Sequence, residues 1–208
     1  MKTDRLYRVE KKDEEKLTEL LAECFSQDPL YCKLIPQNEK RKKMLPEIFS
    51  CDLDEMFSDC EIYADSKDVN GIILVSDETE PYSPVKYYAT QIFFAIKTLM
   101  YIIKDDWTLQ TLVNFIKGKS YLNSEWTDDI GNERRMHIVY FAVRPSMRGR
   151  GIATKLMTPV LDYADEQGLI TSLETHNSCN VTLYEHYGFK LFTTTQKNFD
   201  LKQFCMVR

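Results

Sequence analysis

No stretch of this chain is apolar for long enough to cross a bilayer. The most apolar window, residues 92–103, is interrupted by Lys97. It falls short of the roughly 20 residues that a membrane helix requires and reads as a buried or pocket-lining helix. An excess of positive charge is also missing. Lysine and arginine total 27 against 32 aspartates and glutamates, for a net charge of −5, which argues against general affinity for nucleic acid. The one dense basic run, Lys40-Arg41-Lys42-Lys43, reads as a solvated helix start. The cysteines, Cys24, Cys32, Cys51, Cys60, Cys179 and Cys205, include no C-x-x-C pair, so neither a zinc site nor a thioredoxin-type motif is expected. Met1-Lys2-Thr3-Asp4-Arg5 leads into a polar, charged pattern and not into a secretory leader. The thiols are therefore expected to be reduced, in a cytoplasmic protein, with Cys179 a buried spectator. Repeats and low-complexity tracts are absent, and the length suits a single domain over 1–208.

What the chain does have is concentrated between Met136 and Phe189. The order there is strand (136–143), glycine-rich turn, helix (149–167), strand (169–175), polar turn and short helix (179–187). Arg148-Gly149-Arg150-Gly151-Ile152-Ala153 sets two small residues and two cations at the mouth of a helix. A helix start carries unpaired N–H groups and partial positive charge, so it suits a phosphate-bearing ligand. Glycine lets the backbone turn sharply and approach such a ligand closely. Three glycine-rich patterns compete. The Walker loop fails because Thr154-Lys155 lacks its preceding glycine, and the dinucleotide fingerprint fails because Thr154 stands at its third glycine. The third, R/Q-x-x-G-x-G/A after a Val-x-Pro turn, is met by Arg148, Gly151 and Ala153 behind Val143-Arg144-Pro145.

Earlier in the chain, the apolar spacing of Leu17, Leu20, Leu21 and Phe25 predicts a helix over 13–25, with Asp13 as its N-cap. Asp28-Pro29 reads as its stop. A second helical region covers 38–56, with a start or kink at Pro46. Residues 60–64 and 71–75 read as a hairpin, and two final strands lie near 189–198 and 201–207.

The third loop pattern resembles the pyrophosphate-binding motif of the GNAT N-acyltransferase superfamily. Downstream, Leu173-Glu174-Thr175, Asn177, Tyr184 and Gly188-Phe189 are similar to a second motif of those enzymes. The wording is most like the branch that includes puromycin N-acetyltransferase. The resemblance implies an α/β fold: one domain with a central mixed, mostly antiparallel sheet of about seven strands, flanked by helices and splayed at the cofactor site. It implies acetyl-CoA as donor and a small-molecule amine as acceptor, and it allows a homodimer. Residues 149–154 would hold the pyrophosphate. The backbone of Phe141, Ala142 and Val143 would pair with the pantetheine amides as an added strand, and Asn177 would bond the cofactor arm from across the split.

Acyl transfer from a thioester to an amine needs the amine deprotonated, the oxyanion stabilised and the leaving thiolate protonated. Tyr184 matches the family's general acid, while Tyr187 reads as core. A period of two puts His137, Val139, Phe141 and Val143 on one strand face. His137 then falls where some of these enzymes carry a glutamate base, and Glu174 is the competing candidate. The acceptor pocket would draw on the N-terminal helices and on a helical, aromatic-rich segment, 86–127, including Tyr87, Tyr88, Phe93, Phe94, Tyr101 and Trp107. A non-catalytic acyl-CoA-binding domain is the alternative, as is the same fold with a longer acyl donor or a hydroxyl acceptor.

Overall fold

The computed structural model describes residues 1, 4–77, 99–100, 103–104, 109–122, 124–131 and 134–208. The aromatic candidates Tyr87, Tyr88, Phe93, Phe94, Tyr101 and Trp107 lie outside them.

A short strand β1 (Tyr7–Arg8) is followed by helices α1 (Glu14–Phe25), α2 (Pro29–Leu34) and α3 (Asn38–Asp59). Strands β2 (Glu61–Ala64) and β3 (Gly71–Asp77) form the predicted hairpin. Its turn is fastened by Asp65, whose Oδ1 accepts from the Asn70 and Gly71 amides at 2.8 and 2.9 Å. Then come α4 (Gln110–Gly118), β4 (Arg135–Val143), α5 (Ile152–Gln167), β5 (Ile170–Thr175), α6 (Ser178–His186), β6 (Lys190–Gln196) and β7 (Lys202–Val207). The seven strands form one sheet in the order β1-β2-β3-β4-β5-β7-β6. Among the described residues only β4 and β5 pair in parallel.

Two apolar layers cover the sheet. Leu17, Leu20, Leu21, Leu45, Phe49 and Leu53 of α1 and α3 pack on Ile72, Leu74 and Ala142. On the other face Leu156, Met157 and Val160 of α5 pack on Ile73, Val75 and Ile138. The apolar run in β3 thus serves both faces, the pattern of a strand buried on two sides.

Several expectations change locally. Asp28 does more than stop α1: its Oδ1 accepts from Leu30 N at 2.9 Å and caps α2, with Pro29 at the first helical position. Asp13 does not cap α1 in the usual way. Its carboxylate bonds Tyr7 and the Glu10 amide, closing a capping box around residues 10–13. Pro46 sits inside one continuous α3. Arg41 is no solvated lysine-like residue. It is buried and donates to the carbonyls of Ser26 (2.6 Å) and Ile35 (2.7 Å), pinning the α1–α2 connection.

The correction with most consequence lies in β4. Leu74 pairs with Tyr140 and Val75 with Ile138, which leaves Val139 as the extra residue of a β-bulge. Alternation therefore resets. Phe141 and Val143 join Met136 and Ile138 on the α5 face, while Val139, Tyr140 and Ala142 meet the α1–α3 layer. His137, which alternates with Met136 and Ile138, does not share a face with Phe141 and Val143.

Candidate active site

Pairing between β4 and β5 runs through Arg135–Ile170, Met136–Thr171 and His137–Ser172, and there it ends. On its opposite edge β5 stays paired with β7 from Ser172 to Thr175. Phe141, Ala142 and Val143 keep their partners in β3, so their other edge opens into the split. Exposed edge amides and carbonyls of this kind can accept an added strand.

At the wide end of the split stands the turn before α5, whose helix begins at Ile152 and not at 149 as predicted. Gly149 and Gly151 hold φ of 76° and 77°, in the left-handed region that favours glycine. A Cβ built on either would meet nothing within 4 Å, so the space above the turn is open. Gly151 is the N-cap and offers no side-chain acceptor, and the first turn carries no acid. The leading N–H groups of Ile152, Ala153 and Thr154 are thus left for an anion. Arg148 and Arg150 are exposed beside them, and Arg148 is steadied by its Nε donating to Val143 O at 3.2 Å. Thr154 Oγ1 lies 3.1 Å from Tyr187 Oη, tying α5 to α6. Tyr187 is half-buried and packs against the margin of the core cluster that contains Phe189.

Across the split, Asn177 caps α6, its Oδ1 accepting from Cys179 N at 3.0 Å. That leaves its Nδ2 as the group able to serve a ligand. Cys179 is exposed, contrary to expectation, and no cysteine pair forms a disulfide. Tyr184 is buried between Phe141 and Phe189, with ring centroids 6.3 and 6.0 Å away. Burial, with the Asp28 and Glu174 carboxylates within electrostatic reach, pushes its hydroxyl pKa well above the usual value. The group stays protonated at neutral pH.

His137 and Glu174 meet at the apex. His137 Nε2 lies 3.3 Å from Glu174 Oε2. Ser124 Oγ lies 3.0 Å from the same nitrogen and donates to Glu174 Oε1 at 2.8 Å. Trp126 Nε1 donates to Glu174 Oε2 at 2.8 Å, and Ser172 Oγ lies 2.9 Å from His137 Nδ1. Burial alone would raise the Glu174 pKa; the contacts from His137, Trp126 and Ser124 outweigh it and hold the carboxylate below its usual range. Sequence reasoning named His137 and Glu174 as competing candidates, not as a contacting pair, and missed Ser124, Trp126 and Ser172, none of which stands in a motif.

It also missed a second cluster, on the α1–α3 face. Tyr140 Oη donates to Asp52 Oδ2 at 3.1 Å and lies 3.4 Å from Tyr31 Oη. Phe25, Phe49, Tyr31 and Tyr140 pack ring on ring around these hydroxyls, with the Phe25–Tyr140 and Tyr31–Phe49 centroids 5.5 and 5.2 Å apart. Desolvation pushes the Asp52 pKa up to about 7, against the opposing bond from Tyr140. The Asp28 carboxyl, also desolvated, is pushed up to about 6. Beyond β5, a cavity of about 430 Å³ is lined by His176, Gln196, Asp200 and Lys202 among others. His176 Nε2 is buried without a hydrogen bond, and burial pushes this imidazole down to about 4.

A split parallel pair, an open glycine turn at a helix start and a tyrosine buried against Phe141 are features compatible with an acyltransferase of one kind. The acetyltransferase (GNAT) family profile matches residues 55–189, and the chain belongs to this family, whose members transfer an acetyl group from acetyl-CoA. An uncharacterized N-acetyltransferase of Schizosaccharomyces pombe is 25% identical over 193 residues, covering 88% of this chain and 72% of that protein. Among solved structures, a Corynebacterium glutamicum protein described as "histone acetyltransferase HPA2 and related acetyltransferase" superposes with a TM-score of 0.64 at 18% identity, over 97% of this chain and 93% of that one. The PaiA N-acetyltransferase of Thermoplasma acidophilum, in complex with coenzyme A, gives 0.56 at 12% over 98% and 96%. Arylalkylamine N-acetyltransferase 2 of Aedes aegypti gives 0.54 at 14% over 98% and 97%. These likenesses concern the fold.

Proposed function

We propose that this enzyme acetylates the amine of a small molecule, with acetyl-CoA seated in the β4–β5 split. The observation that carries the reading is the uncapped start of α5 beneath an open glycine turn, in line with the free edge of β4. Main-chain N–H groups of Gly149 to Thr154, flanked by Arg148 and Arg150, match the charge and size of a pyrophosphate. The edge of Phe141, Ala142 and Val143 suits the amides of the pantetheine arm, and Asn177 Nδ2 faces that arm from the other side. The donor supplies an activated thioester carbonyl.

Tyr184 Oη holds the proton that the departing thiolate needs, and its raised pKa keeps that proton in place until then. His137 and Glu174 act as the proton-accepting pair of the apex. Ser124 touches both and is half-buried, so its hydroxyl is the point of access.

Calorimetry with coenzyme A, together with thiol release from acetyl-CoA over a panel of primary amines that includes puromycin, tests the proposal. Binding with amine-dependent release is the expected result. Binding with no release would favour a non-catalytic acyl-CoA-binding domain, and no binding would remove the reading altogether. Tyr184→Phe should lose about 100-fold in kcat while keeping coenzyme A affinity; unchanged turnover would end its assignment as the acid.

A further inference from the structure

Resting on the acetyl-transfer reading above, we infer that the acceptor arrives as a small organic cation, held by the Asp52 carboxyl against the ring of Tyr140. Asp52 contrasts with Glu174. The apex carboxylate is bonded by Ser124 and Trp126 and lies against His137. Asp52 has one hydrogen bond, from Tyr140, and among the described residues no cation pairs with it. Its neighbours make this worse: Glu55 on the same helix adds like charge, and Asp28 lies within reach of the adjoining Tyr31. A carboxyl so placed is short of one positive partner. Its raised pKa is the consequence.

The surroundings say what that partner is. Aromatic faces favour a cation with an apolar body, and the half-exposed Tyr140 ring stands beside Asp52, its hydroxyl 3.4 Å from that of the buried Tyr31. Asp52 and Tyr140 both keep part of their surface open, so a ligand can reach them. Tyr140 also adjoins the split in the chain. Tyr140 directly follows the bulge at Val139 and precedes Phe141, whose main chain forms the open edge. Asp28 acts electrostatically on both Tyr31 and Tyr184, so its charge is felt on both sides of the sheet. Charge is thereby divided. Arg148 and Arg150 mark the side of the anionic donor, and Asp28 and Asp52 mark the other. Acceptors carrying a carboxylate are disfavoured on this account.

Calorimetric titration of the coenzyme A-loaded protein with 2-phenylethylammonium and n-butylammonium chlorides, with 2-phenylethanol as the neutral control, tests the assignment. The wild type should bind both ammonium probes, and 2-phenylethanol at least tenfold more weakly than its ammonium counterpart. Asp52→Asn should lower ammonium affinity tenfold or more while coenzyme A affinity stays within twofold. Equal ammonium affinity in Asp52→Asn, equal affinity for the alcohol, or no binding of either ammonium probe would overturn the inference. If Asp52→Asn does not fold, the wild-type comparison of cation with alcohol decides. Failure of the wild type to bind coenzyme A would instead overturn the acetyl-transfer reading, and the same titrations on the ligand-free protein then decide on Asp52.

Discussion

Gly151 and Asp52 are both single residues on which the site turns, yet only one is visible in the sequence. Gly151 announces itself because its chemistry is local: Arg148, Gly149 and Ala153 stand within a few positions of it. In the fold it adopts φ 77° with free space where a side chain would sit. Gly151→Val should therefore fold, at a cost of about 1–2 kcal/mol for the left-handed backbone. The new side chain would project into the space above the turn. Coenzyme A affinity should fall at least tenfold, far more than a melting shift of a few degrees would explain. Retained affinity would remove the turn from the cofactor site. Asp52 gives no such signal. Its partner Tyr140 is 88 residues away in sequence, and an aspartate on a helix reads as solvated until the strand that covers it is known.

At the scale of elements, what matters is how α5 sits on the sheet. Gly71 opens β3, and a Cβ there would come within 2.7 Å of Ile152 Cγ2, 3.0 Å of Leu156 Cδ1 and 3.2 Å of the Ala142 carbonyl. The absent side chain lets the start of α5 lie close against β3 and β4. Gly71→Ala should overpack this contact and cost about 1–3 kcal/mol. Because the displaced residue is Ile152, coenzyme A affinity should decline together with stability. Denaturant unfolding and calorimetry on the same variant check this; a stability loss with intact affinity would show that the α5 start tolerates the shift. The bulge at Val139 belongs to the same scale. Period-two reading of MHIVYFAV treats the strand as regular, whereas the irregularity exists only in its pairing with β3. It turns Tyr140 toward α3 and Phe141 toward Tyr184, so one extra residue decides which side chains serve which face.

Over the whole molecule, the distribution of buried titratable groups sets how stability responds to pH. The folded Asp52 carboxyl holds its proton up to about 7, whereas the unfolded chain releases it near the ordinary aspartate value. The folded state thus gains from this group below about pH 4 and loses that gain as pH rises through about 7. His176 acts in the opposite sense. With its folded pKa pushed down to about 4, it contributes stability above the ordinary imidazole range, and this is lost as pH falls through about 4. Asp52→Asn removes the first dependence and leaves the second. Its stability relative to wild type should improve progressively from about pH 4 to about pH 7, by on the order of 3 kcal/mol. Urea unfolding of both proteins at pH 5 and pH 8 measures the gap; an equal gap at both pH values would mean that Asp52 is not desolvated as described.

The sequence by itself determined the family and the β-turn-α-β frame that contains the glycine turn proposed for the donor. Glycine spacing, a Val-x-Pro turn and helical periodicity are properties of neighbours along the chain. The spacing of Asn177 and Tyr184 from Gly188-Phe189, on which their proposed roles rest, is a property of the same kind. Tertiary structure alone decided the rest. It closed His137 and Glu174 into one cluster with Ser124 and Trp126, made Arg41 a buried brace, left Cys179 exposed and set Asp52 under Tyr140 and Tyr31. Each of these depends on burial and on contacts between distant segments. Desolvation, which raises one carboxyl while its partners hold another down, has no expression in the order of residues until the chain has folded around them.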